Sequence, residues 1–494
     1  MNAVAKLEKT SLSALRDPRL FREFAYVDGA WVAGASGTAI DVTDPADGRR
    51  IGAVPALSAG DVETAIAAAH RAFGSWSAKL PQERATVLRR WFELVSAARE
   101  DLARLMVEEQ GKPLSEARGE IDYAASFIEF YAEEAKRLNV ESVTSHLPGA
   151  EMTVIRQPAG VAALVTPWNF PAAMLTRKAA AALAAGCTVV AHPSSETPFS
   201  ALALAELAER AGLPAGVFNV LTGRAAEVVG AMTASRLVRV VSFTGSTEIG
   251  RLLYAQSAPT VKRLVMELGG HAPFIAFADC DFERAVERAV AAKFATSGQD
   301  CLAANRFYVE RPIYARFVAA FAERVARLTV GPGLADPDIG PLINVRAVAR
   351  QREQVADALA RGARLVSGGE PHPAGENFFA PTVLADVDDD ALIFREETFG
   401  PVAGFAPFDA EDEVLARANA TETGLVAYLH TGDTGRAARL ARALEFGMVA
   451  VNRTRITGAP VPFGGVKQAG LGREGSRHGM EAYAEIKYIC RETD

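Results

Sequence analysis

Cysteine and histidine are both scarce in this chain. Of 494 residues only four are cysteine: Cys187, Cys280, Cys301 and Cys490. They form no C-x-x-C pair and are too few for a disulfide framework. The seven histidines are scattered, with no H-E-x-x-H, so no metal site is expected. No Lys/Arg-rich block occurs and the formal net charge is −7. That balance excludes the electrostatic footprint of a nucleic-acid binder and does not favour an acidic membrane surface. No apolar run reaches the length of a transmembrane helix. The first residues, Met1 to Lys6, lack the apolar core of a signal peptide, and the expected location is the cytoplasm. Internal repeats and low-complexity linkers are absent, and so is the dinucleotide fingerprint G-x-G-x-x-G.

What is present reads as α/β. The length suggests two or three domains. Residues 1–20 are polar and irregular, a mobile lead-in. Residues 24–32 have hairpin character around Asp28-Gly29. Amphipathic helical segments follow near 60–75, 82–110 and 115–138, the last with Ser115 as a candidate cap. Residues 140–158 lose the helical pattern and read as extended. From residue 160 strands and helices alternate: strands at 160–165, 188–191, 217–221 and 238–243, with helices at 172–185 and 200–211 stopped by Gly186 and Gly212. This predicts a parallel sheet covered on both faces, with ligands at the carboxyl ends of its strands. The Phe243-Thr244-Gly245-Ser246 turn leads into a helix beginning near Thr247, where a diphosphate can sit on backbone N–H groups. A second α/β unit follows residue 270, with a helix at 285–296, a strand at 307–309, a helix at 313–328 and a surface loop at 367–375. The tail at 483–490 reads as a strand.

The reactive groups concentrate between Glu267 and Cys301. Each stands beside glycine, in Glu267-Leu268-Gly269-Gly270 and Ser297-Gly298-Gln299-Asp300-Cys301. Cysteine is a strong nucleophile only as thiolate, and a carboxylate able to activate a thiol or a water is its usual companion. Either residue alone is unspecific, since a lone cysteine is most often a small buried hydrophobe.

The order E-L-G-G, then F-x-x-x-G-Q-x-C, resembles the aldehyde dehydrogenase superfamily. P-W-N-F-P at 167–171, F-T-G-S-T-E-I-G at 243–250, E-E-T-F-G-P at 396–401 and P-F-G-G-V-K-x-x-G-x-G-R-E at 462–474 fall in that family's order. The likeness runs from about residue 24 to the C-terminus. The runs E-E-Q-G-K-P-L-S-E-A at 108–117, N-F-P-A-A-M-L-T-R-K at 169–178 and L-G-R-E-G-S at 471–476 are similar to the succinate-semialdehyde dehydrogenase branch.

The resemblance implies a Rossmann-type dinucleotide domain (1–139 and 159–270), an α/β catalytic domain (271–450) and a β oligomerisation arm (140–158 and 480–494). Arms of this kind pair with the C-terminal strand of a neighbouring subunit in homodimers or homotetramers. The implied reaction is non-acylating oxidation of an aldehyde by NAD or NADP. Cys301 attacks the carbonyl, hydride leaves the thiohemiacetal, and water releases the acid from the thioester. Glu267 activates the water and Asn169, with the Cys301 N–H, stabilises the oxyanion. Lys178 serves proton transfer and cofactor placement. For the cofactor the resemblance implies Thr166, Trp168, His192, Ser195, Gly223, Phe243, Thr244, Gly245, Ser246, Leu268, Glu397 and Phe399, with Glu397 on the nicotinamide ribose. A CoA-acylating relative is disfavoured by Glu267, because such enzymes suppress water activation. A non-catalytic protein on this scaffold is disfavoured by the joint presence of Cys301, Glu267, Asn169 and Glu397.

The sequence departs from the branch in three places. The second strand ends in His192-Pro193 where the family has Lys-Pro, and Ser195 stands where NAD-selective relatives carry Glu. A neutral imidazole attracts a phosphate poorly, a serine does not repel one, and dual use of NAD and NADP is expected. For the distal carboxylate, the branch's first arginine matches Arg177, but its second falls on Ala295 and its serine on Thr457. The loop at 452–457 instead brings Arg453 and Arg455, and Phe463 is expected beside the substrate. A forked guanidinium suits carboxylate or sulfonate alike. Succinate semialdehyde therefore competes with 3-sulfolactaldehyde (the aldehyde of sulfoquinovose degradation) and with glutarate semialdehyde. Thirdly, Ala303 removes the second cysteine of a redox-switch disulfide.

Overall fold

The computed structural model describes residues 14–138 and 140–493. The alternation after residue 160 forms the expected parallel sheet. Phe218–Val220, Thr188–His192, Val161–Val165, Val238–Thr244 and Arg263–Glu267 lie side by side in that order. Strands covered on both faces read as continuous apolar runs, and all of Val161–Val165 is buried. The hairpin Ala25–Val27/Ala30–Val32 extends one edge, its turn made by Asp28 and Gly29 at φ 50° and 77°. Gly470–Leu471 adds antiparallel to the other edge, beside Met266 and Glu267. Only glycine fits there: a Cβ at position 470 would lie 2.0 Å from the Met266 carbonyl oxygen.

The second sheet runs Arg364–Ser367, Thr382–Ala385, Val402–Phe408, Ala304–Glu310, Ala272–Ala276, Val426–His430, Met448–Val451. All its pairs but the first are parallel. The functional cleft lies between the two sheets. The first contributes the carboxyl ends of its strands, at Thr244 and Glu267; the second contributes the loops that precede Ala304–Glu310 and Val402–Phe408.

Several local expectations are corrected. Of the lead-in, residues 1–13 lie outside the described residues. From residue 16 the chain is held down, because Arg16 N and Asp17 N donate to Asp101 at 3.0 and 2.9 Å. The 82–110 segment is two helices, Pro81–Ala97 and Arg99–Gln110, broken at Ala98. Ser115 does not cap Leu114–Glu134; its own N–H donates instead to Asp336 Oδ1 at 2.7 Å. The extended excursion forms the strands Glu141–Val143 and Ala150–Pro158, and the latter pairs with Ala484–Glu492 of the same chain rather than a neighbour's tail. Buried Tyr483 sets that register: its carbonyl accepts from Ala159 N at 2.9 Å and from Cys187 Sγ at 3.2 Å, so the tail starts beside Pro158.

Candidate active site

The loop that carries Cys301 is wound against its preference. The helix Phe282–Phe294 stops short of the expected Thr296. Thr296, Ser297 and Gly298 then run left-handed at φ 50°, 57° and 74°. Each such non-glycine residue stores about 1–3 kcal/mol and persists only where its surroundings over-determine it. Here both Glu116 carboxylate oxygens accept from Thr296 N at 3.0 Å, and Ser297 Oγ donates to Gly340 O at 3.0 Å. Gln299 Nε2 donates to Pro341 O at 3.3 Å, and Gln299 Oε1 accepts from Ile343 N at 2.9 Å. A Cβ at Gly298 would come 2.3 Å from the Gly400 carbonyl oxygen.

Cys301 therefore stands half-buried in a cleft of about 1040 Å3, which Glu267, Asn169, Glu397 and Phe399 also line. Burial pushes its thiol well up, and the carboxylates of Glu267, Asp300 and Glu397 add to the shift. The resting thiol is protonated, so a base must take its proton. Glu267, the candidate for that base, lines the same cleft. It is 2% exposed, and its Oε1 has no hydrogen-bond partner among the described residues. Burial pushes its carboxyl up to about 8, against the pull of Arg177 and Lys178. A base with a pKa close to neutral both accepts and returns a proton readily.

Beneath these groups lies a buried charge cluster. Lys178 Nζ donates to Glu474 Oε1, and Arg177 Nε pairs with Glu474 Oε2 at 2.6 Å. Burial alone would raise Glu474, but the two cations hold it below its ordinary value; Lys178 is pushed down, chiefly by burial. Lys178 does not line the cleft. A second pair, Lys112–Glu120 at 2.5 Å, is also buried. Lys112 Nζ donates to the Asn169 carbonyl at 2.7 Å, while Glu120 Oε1 accepts from Ala172 N and Ala173 N, the start of helix Ala173–Ala185. Asn169 Nδ2 donates to Gln299 O at 3.0 Å. An amide nitrogen carries two hydrogens, so one ties Asn169 to the Cys301 loop and one remains for a ligand.

Along the first sheet, Ser246 caps the helix Thr247–Ser257 by accepting from Ile249 N at 3.4 Å. Thr244 Oγ1 is buried without a partner among the described residues. Glu397 Oε1 accepts from Gly270 N at 3.1 Å, and burial pushes its carboxyl up to about 7. A Cβ at Gly269 would meet Glu397 Oε2 at 2.9 Å. Phe399, at φ 49°, packs edge-on to Trp168 at 5.5 Å. Leu268 and Gly245 line the same wall. An unpartnered hydroxyl, a helix N-terminus and a carboxylate in one wall fit a ribose diphosphate. Thr166, His192, Ser195, Gly223 and Phe243 lie off the lining around Cys301, at or just beyond strands of the first sheet. His192 is buried; its Nδ1 lies 2.9 Å from the Leu221 carbonyl, which can only accept, so Nε2 is left as an acceptor. Burial lowers this imidazole, which keeps it neutral.

At the substrate end Arg177, Arg455, Thr457, Phe463 and Ala295 line the cleft, whereas Arg453 does not. Arg177 lies over the Phe463 ring at 4.2 Å, and its Nη1 is buried with no hydrogen-bond partner among the described residues. Sequence reading gave no role to Glu474, Lys112, Glu120, Asp300 or Tyr123. Glu474 and Lys112 lay within motifs already quoted, but their partners are distant in sequence. Among the described residues no group of three or more His, Cys, Asp or Glu is placed to hold a metal ion, and no helix is long and apolar enough to cross a membrane.

A half-buried cysteine, a buried basic carboxylate and an amide donor meeting between two α/β sheets define a thiol-dependent oxidoreductase site of the aldehyde dehydrogenase kind. The chain belongs to the aldehyde dehydrogenase family, whose model matches residues 31–489. It is 54% identical to the succinate-semialdehyde dehydrogenase [NADP(+)] GabD of Escherichia coli, over 96% of this chain and 99% of that protein. It is also 54% identical to an aspartate-semialdehyde dehydrogenase (non-phosphorylating) of Halomonas elongata, over 97% and 98%. The crystal structure of an E. coli NADP-dependent enzyme superposes with a TM-score of 0.96 at 53% identity, covering 97% of this chain and all of that one.

Proposed function

We propose that the protein oxidises a short aldehyde with a distal anionic group to the carboxylic acid, with Cys301 as nucleophile and NAD or NADP as acceptor. The observation that carries this reading is the buried, partnerless carboxylate oxygen of Glu267 in the cleft that holds Cys301. Glu267 takes the thiol proton, and the thiolate adds to the carbonyl carbon. The free Asn169 N–H and the Cys301 backbone N–H hold the oxyanion. When bound, the nicotinamide supplies the hydride acceptor that turns this adduct into a thioester. Glu267 gives the thiol proton up to solvent and is a carboxylate again; it then takes a proton from water as hydroxide adds to the thioester carbon, and the Cys301 thiolate leaves and recovers that proton. Lys178 and Glu474 keep the floor of the site charged and dry, and Glu267 is poised against them. The aldehyde need not be activated by a metal, because the anion formed on its oxygen is met by two N–H groups.

Glu397, Phe399, Trp168, Leu268, Thr244, Gly245 and Ser246 would hold the nicotinamide half and the diphosphate. Thr166, His192, Ser195, Gly223 and Phe243 would serve the adenosine half. The His192 Nε2 lone pair suits a ribose hydroxyl and gives a 2′-phosphate nothing to bind, while exposed Ser195 does not repel one, which supports use of both cofactors. The domain division 1–139 and 159–270, 271–450, and the arm of 140–158 with 480–494 is part of this reading. So is association of the arm into a homodimer or homotetramer, supported by Ile486, Tyr488 and Ile489 exposed on its tail strand. All four cysteines are free, in keeping with a cytoplasmic protein.

Succinate semialdehyde is the first candidate substrate, with Arg177 and Arg455 on its carboxylate. 3-Sulfolactaldehyde is the second, because Arg455 brings a guanidinium that can fork onto a sulfonate; glutarate semialdehyde is one methylene longer. The test is kcat/KM for succinate semialdehyde and sulfolactaldehyde, each with NAD and NADP, in the wild type and Arg455→Ala. A carboxylate preference that survives the substitution assigns the anion to Arg177. A sulfonate preference lost by more than about tenfold, roughly 1.4 kcal/mol, assigns it to Arg455. Turnover of neither aldehyde, or turnover that survives Cys301→Ala, defeats the reading.

A further inference from the structure

Three backbone segments meet around the thiol, and they touch at glycines. A Cβ at Gly270 would strike the Cys301 carbonyl, and a Cβ at Gly298 would strike the Gly400 carbonyl. The third segment, residues 397–400, therefore lies directly against the Cys301 loop. It too is wound against its preference, with Phe399 at φ 49°. Such a conformation persists only where its surroundings fix it. Two consecutive residues of the helix Val345–Ala360 do so here. Arg350 Nη2 donates to the Glu397 carbonyl at 2.8 Å, and Gln351 Nε2 donates to the Thr398 carbonyl at 2.9 Å.

Gln351 lines the cleft, yet it is buried, and its amide fills the space that a Cβ at Gly400 would need. As a core group the amide is a poor choice. The Thr398 carbonyl can only accept, so the nitrogen must face it. That leaves Gln351 Oε1 buried with no hydrogen-bond partner among the described residues. A buried acceptor left without a donor costs free energy that an apolar side chain of the same length avoids. Stability alone therefore does not account for Gln351. What its amide does is pin the carbonyl that stands between Glu397 and Phe399. The Cys301 loop has clamps of its own, through Glu116, Ser297 and Gln299.

We infer that Gln351 is a positioning residue for hydride transfer: through the Thr398 carbonyl it holds the turn that carries Glu397 and Phe399 in register with the Cys301 loop. The inference rests on the proposed aldehyde oxidation and adds to it a residue that acts through this turn. A displacement of about 1 Å at a reacting centre can cost about a hundredfold in rate, so one hydrogen bond to the turn is enough to matter.

Two variants make the test. Gln351→Met keeps the length of the side chain and removes the amide; Gln351→Asn keeps the amide and withdraws it by one methylene. Four quantities are read in each: the single-turnover rate of NAD reduction by succinate semialdehyde, the Kd for NADH from its fluorescence, the hydrolysis of 4-nitrophenyl acetate without cofactor, and the denaturant midpoint. Ester hydrolysis uses Cys301, Asn169 and Glu267 but needs no hydride acceptor. In both variants NAD reduction is expected to slow at least about tenfold, while the Kd changes by less than about threefold and ester hydrolysis by less than about twofold. Gln351→Met is expected to be as stable as the wild type or more so. NAD reduction at the wild-type rate in Gln351→Met overturns the inference and leaves the proposed function standing. So does an equal loss of NAD reduction and ester hydrolysis, which would make the amide a support of the whole site. If one variant does not fold, the other decides; if neither folds, the amide holds the core rather than the turn, and the inference is overturned. A wild type that hydrolyses the ester but oxidises no aldehyde with NAD or NADP defeats the proposed function, and the inference falls with it.

Discussion

Arg177 and Arg455 line one cleft from opposite settings. Arg177 is 1% exposed, ion-paired to Glu474, stacked on Phe463 and adjacent to Lys178, which shares the same carboxylate. Arg455 is exposed on the 452–457 loop, and no ion pair engages it among the described residues. A charge in a dry interior is tied to its partners, because removing one leaves the others uncompensated. A charge in water is screened and can be exchanged at little cost to the fold. The floor of the cleft is therefore where the common chemistry is held, and the rim is where substrate choice can be altered.

The sharpest way to break this contrast is at Glu474. Glu474→Gln removes the counter-charge of both Arg177 and Lys178 while keeping the volume of the side chain. The expected loss of stability is about 3–5 kcal/mol, the range for breaking a buried ion pair. It is read from the denaturant midpoint at unchanged slope. A loss below about 1 kcal/mol, the range of exposed pairs, would mean that the floor is hydrated like the rim.

The pH profile sharpens the same point through Glu267, whose carboxyl burial pushes up to about 8. Below that value it is protonated and cannot take a proton from Cys301 or water, so kcat/KM is expected to fall as pH drops from 9 to 6. The limb should centre near 8 and approach a tenfold loss per unit. A limb near the ordinary carboxylate range would place Glu267 in water. Glu120→Gln comes next. It leaves Lys112 without its carboxylate and frees the carbonyl side of Asn169 to shift. The expected effect is a drop in kcat of about tenfold or more, the scale of one oxyanion donor misplaced, with KM nearly unchanged. A fall in thermal stability with kcat intact would make the pair purely structural.

How much of this was legible in the sequence follows the same division. Cys301, Glu267, Asn169 and Glu397, which the structure brings into one cleft, stood out in the sequence because each sits in a short run with glycine or proline nearby. The structure gives those neighbours a reason, such as Gly270 against the Cys301 carbonyl and Gly298 against Gly400. The strand and helix order was legible because the buried strands are continuous apolar runs and Gly186 and Gly212 stop helices at φ 99° and 92°. What stayed hidden were pairs made across the chain. Lys178 and Glu474 lie 296 residues apart, and Lys112 and Asn169 lie 57 apart. No local spacing encodes such a contact; only the packing of sheet against helix brings the two ends together. The left-handed turn at Thr296 and Ser297 was also hidden, because neither residue type prefers it and the clamp on it comes from Glu116 and from Gly340 to Ile343.

The smallest expected effect separates the two loop arginines. Arg453 is exposed and lies off the cleft lining, whereas Arg455 is on it. Arg453→Ala is expected to change KM for an anionic aldehyde by less than about twofold, within the range of exposed charges. If Arg455 meets the substrate's anion in water, its contribution should weaken as the Debye length falls from about 10 Å at 0.1 M salt to about 3 Å at 1 M. KM in the wild type should then rise over that range, and the rise should be absent in Arg455→Ala but kept in Arg453→Ala. Arg177, beneath the surface and close to a fixed counter-charge, should contribute a part of the affinity that salt does not reach. A KM indifferent to salt in all three proteins would assign anion recognition to Arg177 alone, and the rim would lose its claim on substrate choice.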